Sequence, residues 1–163
     1  MPAELENDFL FLLYDVARHM RTHADACARK HGMTRAQWVI LARLERQSGL
    51  SQNELAAILE VAPITVARLV DRLEGQGLVE RCTDPQDRRI WRLHLTPAAA
   101  PYLAEIAEYR ARLRAVLAEG QDPEVLEAMR IGLHRMKENL SGCRRVGEPA
   151  VQGAPDDVDR RTA

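Results

Sequence analysis

The residues best placed to do chemistry lie between Pro63 and Arg89. From Pro63 to Glu74 the spacing predicts a helix that buries Val66, Leu69, Val70 and Leu73, at i, i+3, i+4 and i+7. The opposite face carries Ile64, Arg68 and Asp71, with Thr65 and Ala67 beside it and Arg72 further round. An isoleucine facing outward at the start of a helix gains little from water, but it fits against a thymine methyl in a DNA major groove. Arg68 has the planar fork for a bidentate bond to guanine or for a phosphate clamp. Pro63 is well placed at the first helical position, and Thr65 and the free N–H groups of the first turn suit a phosphate. A second cationic point, Asp87-Arg88-Arg89, would carry guanidinium groups into the adjacent minor groove, where narrow A·T tracts concentrate negative potential. Asp87 has the wrong sign for DNA and is expected to orient an arginine. Ser51 and Gln52, which open the preceding short helix, complete the expected set of DNA contacts.

Three elements must hold these residues. Ser51-Gln52-Asn53-Glu54 is a capping box that starts a short helix ending near Glu60. The break Glu60-Val61-Ala62-Pro63 leads into the helix just described, and Gln76-Gly77 stops it. The period then changes to two. Leu78 to Cys82 is extended, Asp84-Pro85-Gln86-Asp87 is turn chemistry, and Ile90 to Leu95 alternates, with Trp91, Leu93 and Leu95 on one face and Arg92 and His94 on the other. Two helices, a tight turn and a hairpin with a basic tip make a winged helix-turn-helix. With the helix that Thr34 caps, carrying Trp38, Leu41 and Leu44 inward, this DNA-binding lobe spans 34–96.

The flanking segments are helical. Phe9, Leu12, Leu13, Val16 and Met20 form one stripe of a helix expected from Glu4 to Lys30. Thr96-Pro97 starts another helix, delayed or kinked by Pro101, and Asp122-Pro123 starts a last one. That last helix carries Leu126, Met129, Leu133, Met136 and Leu140 at alternating steps of three and four, the seam one helix presents to another. These stripes have no apolar domain of their own to cover them, and a two-fold interface between identical chains is the commonest solution. Segments 4–30 and 97–142 are therefore expected to dimerise, through Phe9, Leu13, Val16, Leu126, Met129, Leu133, Met136 and Leu140. Residues 144–163 are rich in Pro, Gly and Asp and are expected to form a disordered tail. The fold class is thus mainly α with a small β-hairpin.

Composition bounds the alternatives. A chain of 163 residues, 46% hydrophobic and with a net charge of −1, is one soluble domain's worth and no whole-chain polycation. The stretch from Arg81 to Thr96 is still net +2, from four arginines against Asp84 and Asp87, a weak patch that favours binding as a dimer. Three widely spaced cysteines, Cys27, Cys82 and Cys143, suggest a reducing compartment. No run is long enough to span a bilayer, and acids precede the first apolar patch where a signal peptide needs basic residues, so a cytoplasmic protein is expected. G-x-S-x-G, P-loop, H-E-x-x-H and C-x-x-C motifs are absent, so no catalytic residue, metal or cofactor is assigned.

At these same residues the chain resembles the MarR family of bacterial transcriptional regulators, and the tryptophan and paired wing arginines look closest to its SlyA-like branch. LEVAPITVARLVDRLEGQGLVER (59–81) looks like the family's recognition helix and first wing strand. DPQDRR (84–89) followed by LHLTP (93–97) looks like its wing and exit, and MTRAQWVIL (33–41) fits its second helix. Ala99-Ala100-Pro101 departs from the family, which commonly has a glycine soon after the Thr-Pro. The resemblance implies a homodimeric regulator, a repressor, astride a pseudo-palindromic operator in double-stranded DNA. It also implies relief by a small aromatic or phenolic ligand, such as an aromatic carboxylate, in a pocket near Arg18, His19, Arg21 and Trp38. Other readings stay open. His19 and His23 have chelating spacing, although Cys27 lies about 12 Å along the axis from His19. A thiol-responsive regulator would need a reactive cysteine, and Leu10 stands where the family's hydroperoxide-sensing branch has one. A helical interaction module would dimerise without binding DNA.

Overall fold

The computed structural model describes residues 8–142, and the first of these is already a helix cap. The Asp8 carboxylate accepts hydrogen bonds from the N–H groups of Leu10 (2.9 Å) and Phe11 (3.3 Å) and starts α1 (Phe9–Lys30). Residues 4–7 of the expected first helix, Cys143 and the expected tail at 144–163 lie outside the described residues. Gly32, at φ +69°, turns the chain out of α1. Thr34 and Gln37 form a capping box at the head of α2 (Arg35–Arg46). Ser51 and Glu54 do the same for α3 (Gln52–Leu59). That helix ends on Glu60 in the left-handed region, φ 54°, where its N–H reaches back to Ala56 and Ala57. That left-handed conformation redirects the chain sharply into α4 (Pro63–Gly75).

The sheet has three strands rather than the two expected. Strand β1 is only Leu50–Ser51, β2 is Val79–Thr83 and β3 is Trp91–Leu95, in the order β1-β3-β2, all antiparallel. A two-residue strand has no readable period, and β1 exists because Leu50 pairs opposite Leu93 while the next residue caps α3. Leu50 and Leu93 join Ile40, Leu41, Leu44, Leu55, Val66, Val70, Leu73 and Val79 in one core beneath α2, α3 and α4. On the face that carries Trp91, Leu93 and Leu95, Leu93 is fully buried, Leu95 packs half-buried against the core, and Trp91, paired with Thr83 at the far end of the ladder, is 48% exposed.

Beyond β3, a 3-10 turn (Pro97–Ala99) precedes α5 (Ala100–Ala118). Pro101 therefore falls at the second helical position, where its missing N–H has no partner to lose. The chain divides after Val116 into two units. The second contains α6 (Pro123–Gly142), where Met129, Leu133, Met136 and Leu140 are exposed and Leu126 is half-buried. In the first, Phe9, Leu13 and Val16 of α1 are likewise exposed. No described helix is long and apolar enough to cross a membrane.

Candidate nucleic-acid interface

Helix α4 starts without a side-chain cap, because Ala62 offers no acceptor, so the positive end of its dipole is not offset by a side chain. Val66, Val70 and Leu73 hold it to the core with no exposed surface, which fixes its rotation. Pro63, Ile64, Thr65, Arg68 and Arg72 are then exposed and Ala67 is half-buried. Ile64 is 62% exposed, the outward isoleucine the sequence suggested.

The wing tip is closed by carboxylates. Asp84 accepts from the N–H groups of Gln86 (2.7 Å) and Asp87 (3.1 Å) and from Arg92 Nε (2.6 Å). Arg92 also donates to Glu54 (2.9 Å) and to the Gly49 carbonyl (3.2 Å), tying the wing base to the head of α3. Asp87 does not hold a guanidinium, contrary to expectation; its carboxylate accepts from the Arg89 backbone N–H (2.9 Å) in a local turn. The arginine-orienting acid is Asp84, three residues earlier and facing the ladder, where the Arg92 side chain arrives. The wing's net charge is thereby localised. Arg81 and Arg92 are paired with acids, whereas Arg88 and Arg89 are exposed and have no acidic partner among the described residues.

The hydrogen bond from Arg92, followed by those from the Gln86 and Asp87 N–H groups, holds the Asp84 carboxyl below its ordinary value. A carboxylate so lowered stabilises the fold above its ordinary range, and that contribution fades as pH falls through the lowered value. Asp84→Asn is therefore expected to lower Tm at neutral pH, with the gap from wild type closing on acidification. Melting curves of both proteins between about pH 2 and 7 check this, and a gap that is independent of pH would contradict it.

Ser51 acts as the α3 cap, its Oγ accepting from Glu54 N–H at 3.2 Å. Gln52 is half-buried beside Arg81. Both lie at the head of α3, but their side chains are engaged within the protein.

The four residues expected around an effector are not brought together. Arg18 pairs with Asp15 (3.0 Å) and touches His19 (3.3 Å), and Arg21 lies over the Tyr14 ring, 5.8 Å from its centroid. Trp38 is buried between His31 and Tyr109, at ring-centroid distances of 5.6 and 5.8 Å, and its indole N–H has no partner among the described residues. Of the four, only Trp38 lines a groove of about 260 Å³ among α1, α2 and α5. Tyr109 lines it too, with Arg35, Arg43, Arg46 and Arg110. Sequence reasoning missed these arginines. Three of them share a face of α2, a stripe that was legible, but Tyr109 and Arg110 come from a helix more than sixty residues away.

A family model described as the MarR family matches residues 33–91. The HTH-type transcriptional repressor MdtR of Bacillus subtilis (strain 168) is 34% identical over 103 residues, 63% of this chain and 66% of its own length. The crystal structure of transcriptional regulator PA3341 superposes with a TM-score of 0.75 at 34% identity, covering 83% of this chain and 100% of that one. The crystal structure of a MepR–DNA complex from S. aureus superposes with a TM-score of 0.71 at 26% identity, covering 83% and 98%.

Proposed function

This chain belongs to the MarR family of transcriptional regulators, and on that premise we propose that it is a homodimeric repressor of operator DNA, released by a small aromatic or phenolic anion. The observation that carries the DNA reading is the outward face of α4. Ile64, Thr65, Arg68 and Arg72 are presented to solvent by a helix whose rotation the core fixes, and Arg88 and Arg89 project from the neighbouring wing. In this reading α4 enters the major groove, Ile64 meets a thymine methyl, and Arg68 bonds a guanine or a phosphate. The wing arginines neutralise phosphates across the adjacent minor groove. Segments 4–30 and 97–142 form the dimer, 34–96 the reading lobe, and the two lobes engage half-sites about one helical turn apart. The repressor role rests on likeness to proteins such as MdtR. The protein acts by binding rather than catalysis, in the cytoplasm.

The groove beside Trp38 supports the ligand reading. Trp38 and Tyr109 offer aromatic faces, and the arginines of α2 and α5 offer charge to a carboxylate. A ligand can release DNA only to the extent that it binds the DNA-incompetent dimer better, and DNA must then weaken ligand binding by the same factor. The test uses salicylate and Trp91→Phe protein, in which Trp38 is the remaining indole. Saturating salicylate should quench Trp38 emission and move the gel-shift midpoint to higher protein concentration. Arg43→Ala/Arg46→Ala should weaken the quenching while leaving DNA affinity without ligand unchanged. If salicylate moves neither emission nor midpoint, this ligand class is wrong.

A further inference from the structure

A helix proposed to face phosphates would be expected to avoid acids, yet α4 carries Asp71 and Glu74 one turn apart near its end, with side chains 63% and 41% exposed. Both are taken by one residue of the wing. Arg81, on β2, donates through Nη2 to Asp71 Oδ1 at 2.6 Å and through Nη1 to Glu74 Oε2. With the Gln52 carboxamide oxygen turned toward it, Arg81 also donates to Gln52 through Nε (3.0 Å) and Nη2 (2.8 Å). The guanidinium side chain is 17% exposed, and its rigid fork joins the first residue of α3, the end of α4 and the middle of β2. The covalent link between α4 and β2 is only Gln76-Gly77-Leu78, turning through Gly77 at φ +70°.

We propose that Arg81 is a positioning residue for DNA recognition. It fixes the angle between recognition helix and wing, so that major-groove and minor-groove contacts arrive in one register, and it ties down two carboxylates and offsets one of the two negative charges that would otherwise repel the duplex. This rests on the DNA reading above. It also gives Gln52 a role as a brace in place of a base contact. Lysine cannot substitute, because a single ammonium lacks the fork that reaches three acceptors in fixed directions.

The experiment has two arms and two variants, Arg81→Gln and Asp71→Ala/Glu74→Ala. The second leaves the β2 arginine in place and changes only exposed positions, so folding is retained and no unpaired carboxylate is created. The first arm measures residual dipolar couplings of backbone N–H groups in 63–75 and 79–95 in free protein. Wild type should fit one alignment tensor, and both variants should need two. In the second arm, a duplex selected by wild type from random sequence is compared with one whose flanking A·T step is moved by one base pair. Wild type should lose about tenfold in affinity, the size of one mismatch, and the variants should show less than half of that loss on a logarithmic scale. Variants that keep a single tensor, or the full wild-type spacing loss, would overturn the proposal. A wild type that ignores the moved step would instead count against the wing as a DNA contact, and the dipolar couplings would still judge the clamp.

Discussion

Arg88→Ala/Arg89→Ala should bind operator DNA about a hundred- to a thousandfold more weakly at ~0.1 M salt. Each lost guanidinium removes one phosphate-neutralising charge, and a dimer loses four. The slope of log K against log salt should therefore fall by roughly 3.6. The tip is closed by backbone N–H groups donated to Asp84 and Asp87, so truncating the two arginines leaves the turn intact and Tm should not move. The preferred sequence in the major groove should also persist, because Ile64 and Arg68 stay in place. Salt titrations with wild type and variant check this, and an unchanged slope would remove the wing from the mechanism.

Leu133→Asp should have an effect of similar size by a different route. Leu133 is 45% exposed in the described chain and lies mid-way along the row from Leu126 to Leu140. Water reaches it in a single chain, so aspartate there should leave the monomer folded. In a two-fold interface the same carboxylate would lose its hydration without a partner, at a cost of several kcal/mol. Sedimentation should show a monomer, and operator affinity should fall about a hundredfold or more, although every proposed DNA contact remains. A variant that still sediments as a dimer would place the interface elsewhere.

What was legible in the sequence follows the range of the interactions that create it. The rotation of α4 is fixed by four apolar residues within eight positions, and its start by Pro63, so its outward face could be named residue by residue. The capping boxes at Thr34 and Ser51 are equally local. Strand β1 was not legible, since two residues become a strand only through a partner more than forty positions away. The acidic partners of Arg81 and Arg92 were not legible either, because they lie seven to thirty-eight positions away in no helical or strand period. Sequence gives the count of wing charges, but which of them are consumed internally depends on where α3 and α4 come to lie. Asp87 shows the limit within a turn. Asp84 and Asp87 are both carboxylates in turn chemistry, and only the path of β3 decides which one meets a guanidinium. The effector residues expected by resemblance shared a helix face or a neighbourhood in sequence, whereas the groove draws its arginines from α2 and α5.

In the proposed function, α4 and the wing of two chains read one duplex together. The most direct measurement is the binding isotherm and stoichiometry of wild-type protein on three duplexes: one selected from random sequence, the same duplex with one half-site scrambled, and a fully scrambled control. Two chains should bind the selected duplex, with affinity at least ~10³-fold above the control at physiological salt, and a large part of that should be lost with a single half-site. Equal affinity for all three duplexes, or binding that saturates at one chain per selected duplex, would contradict it.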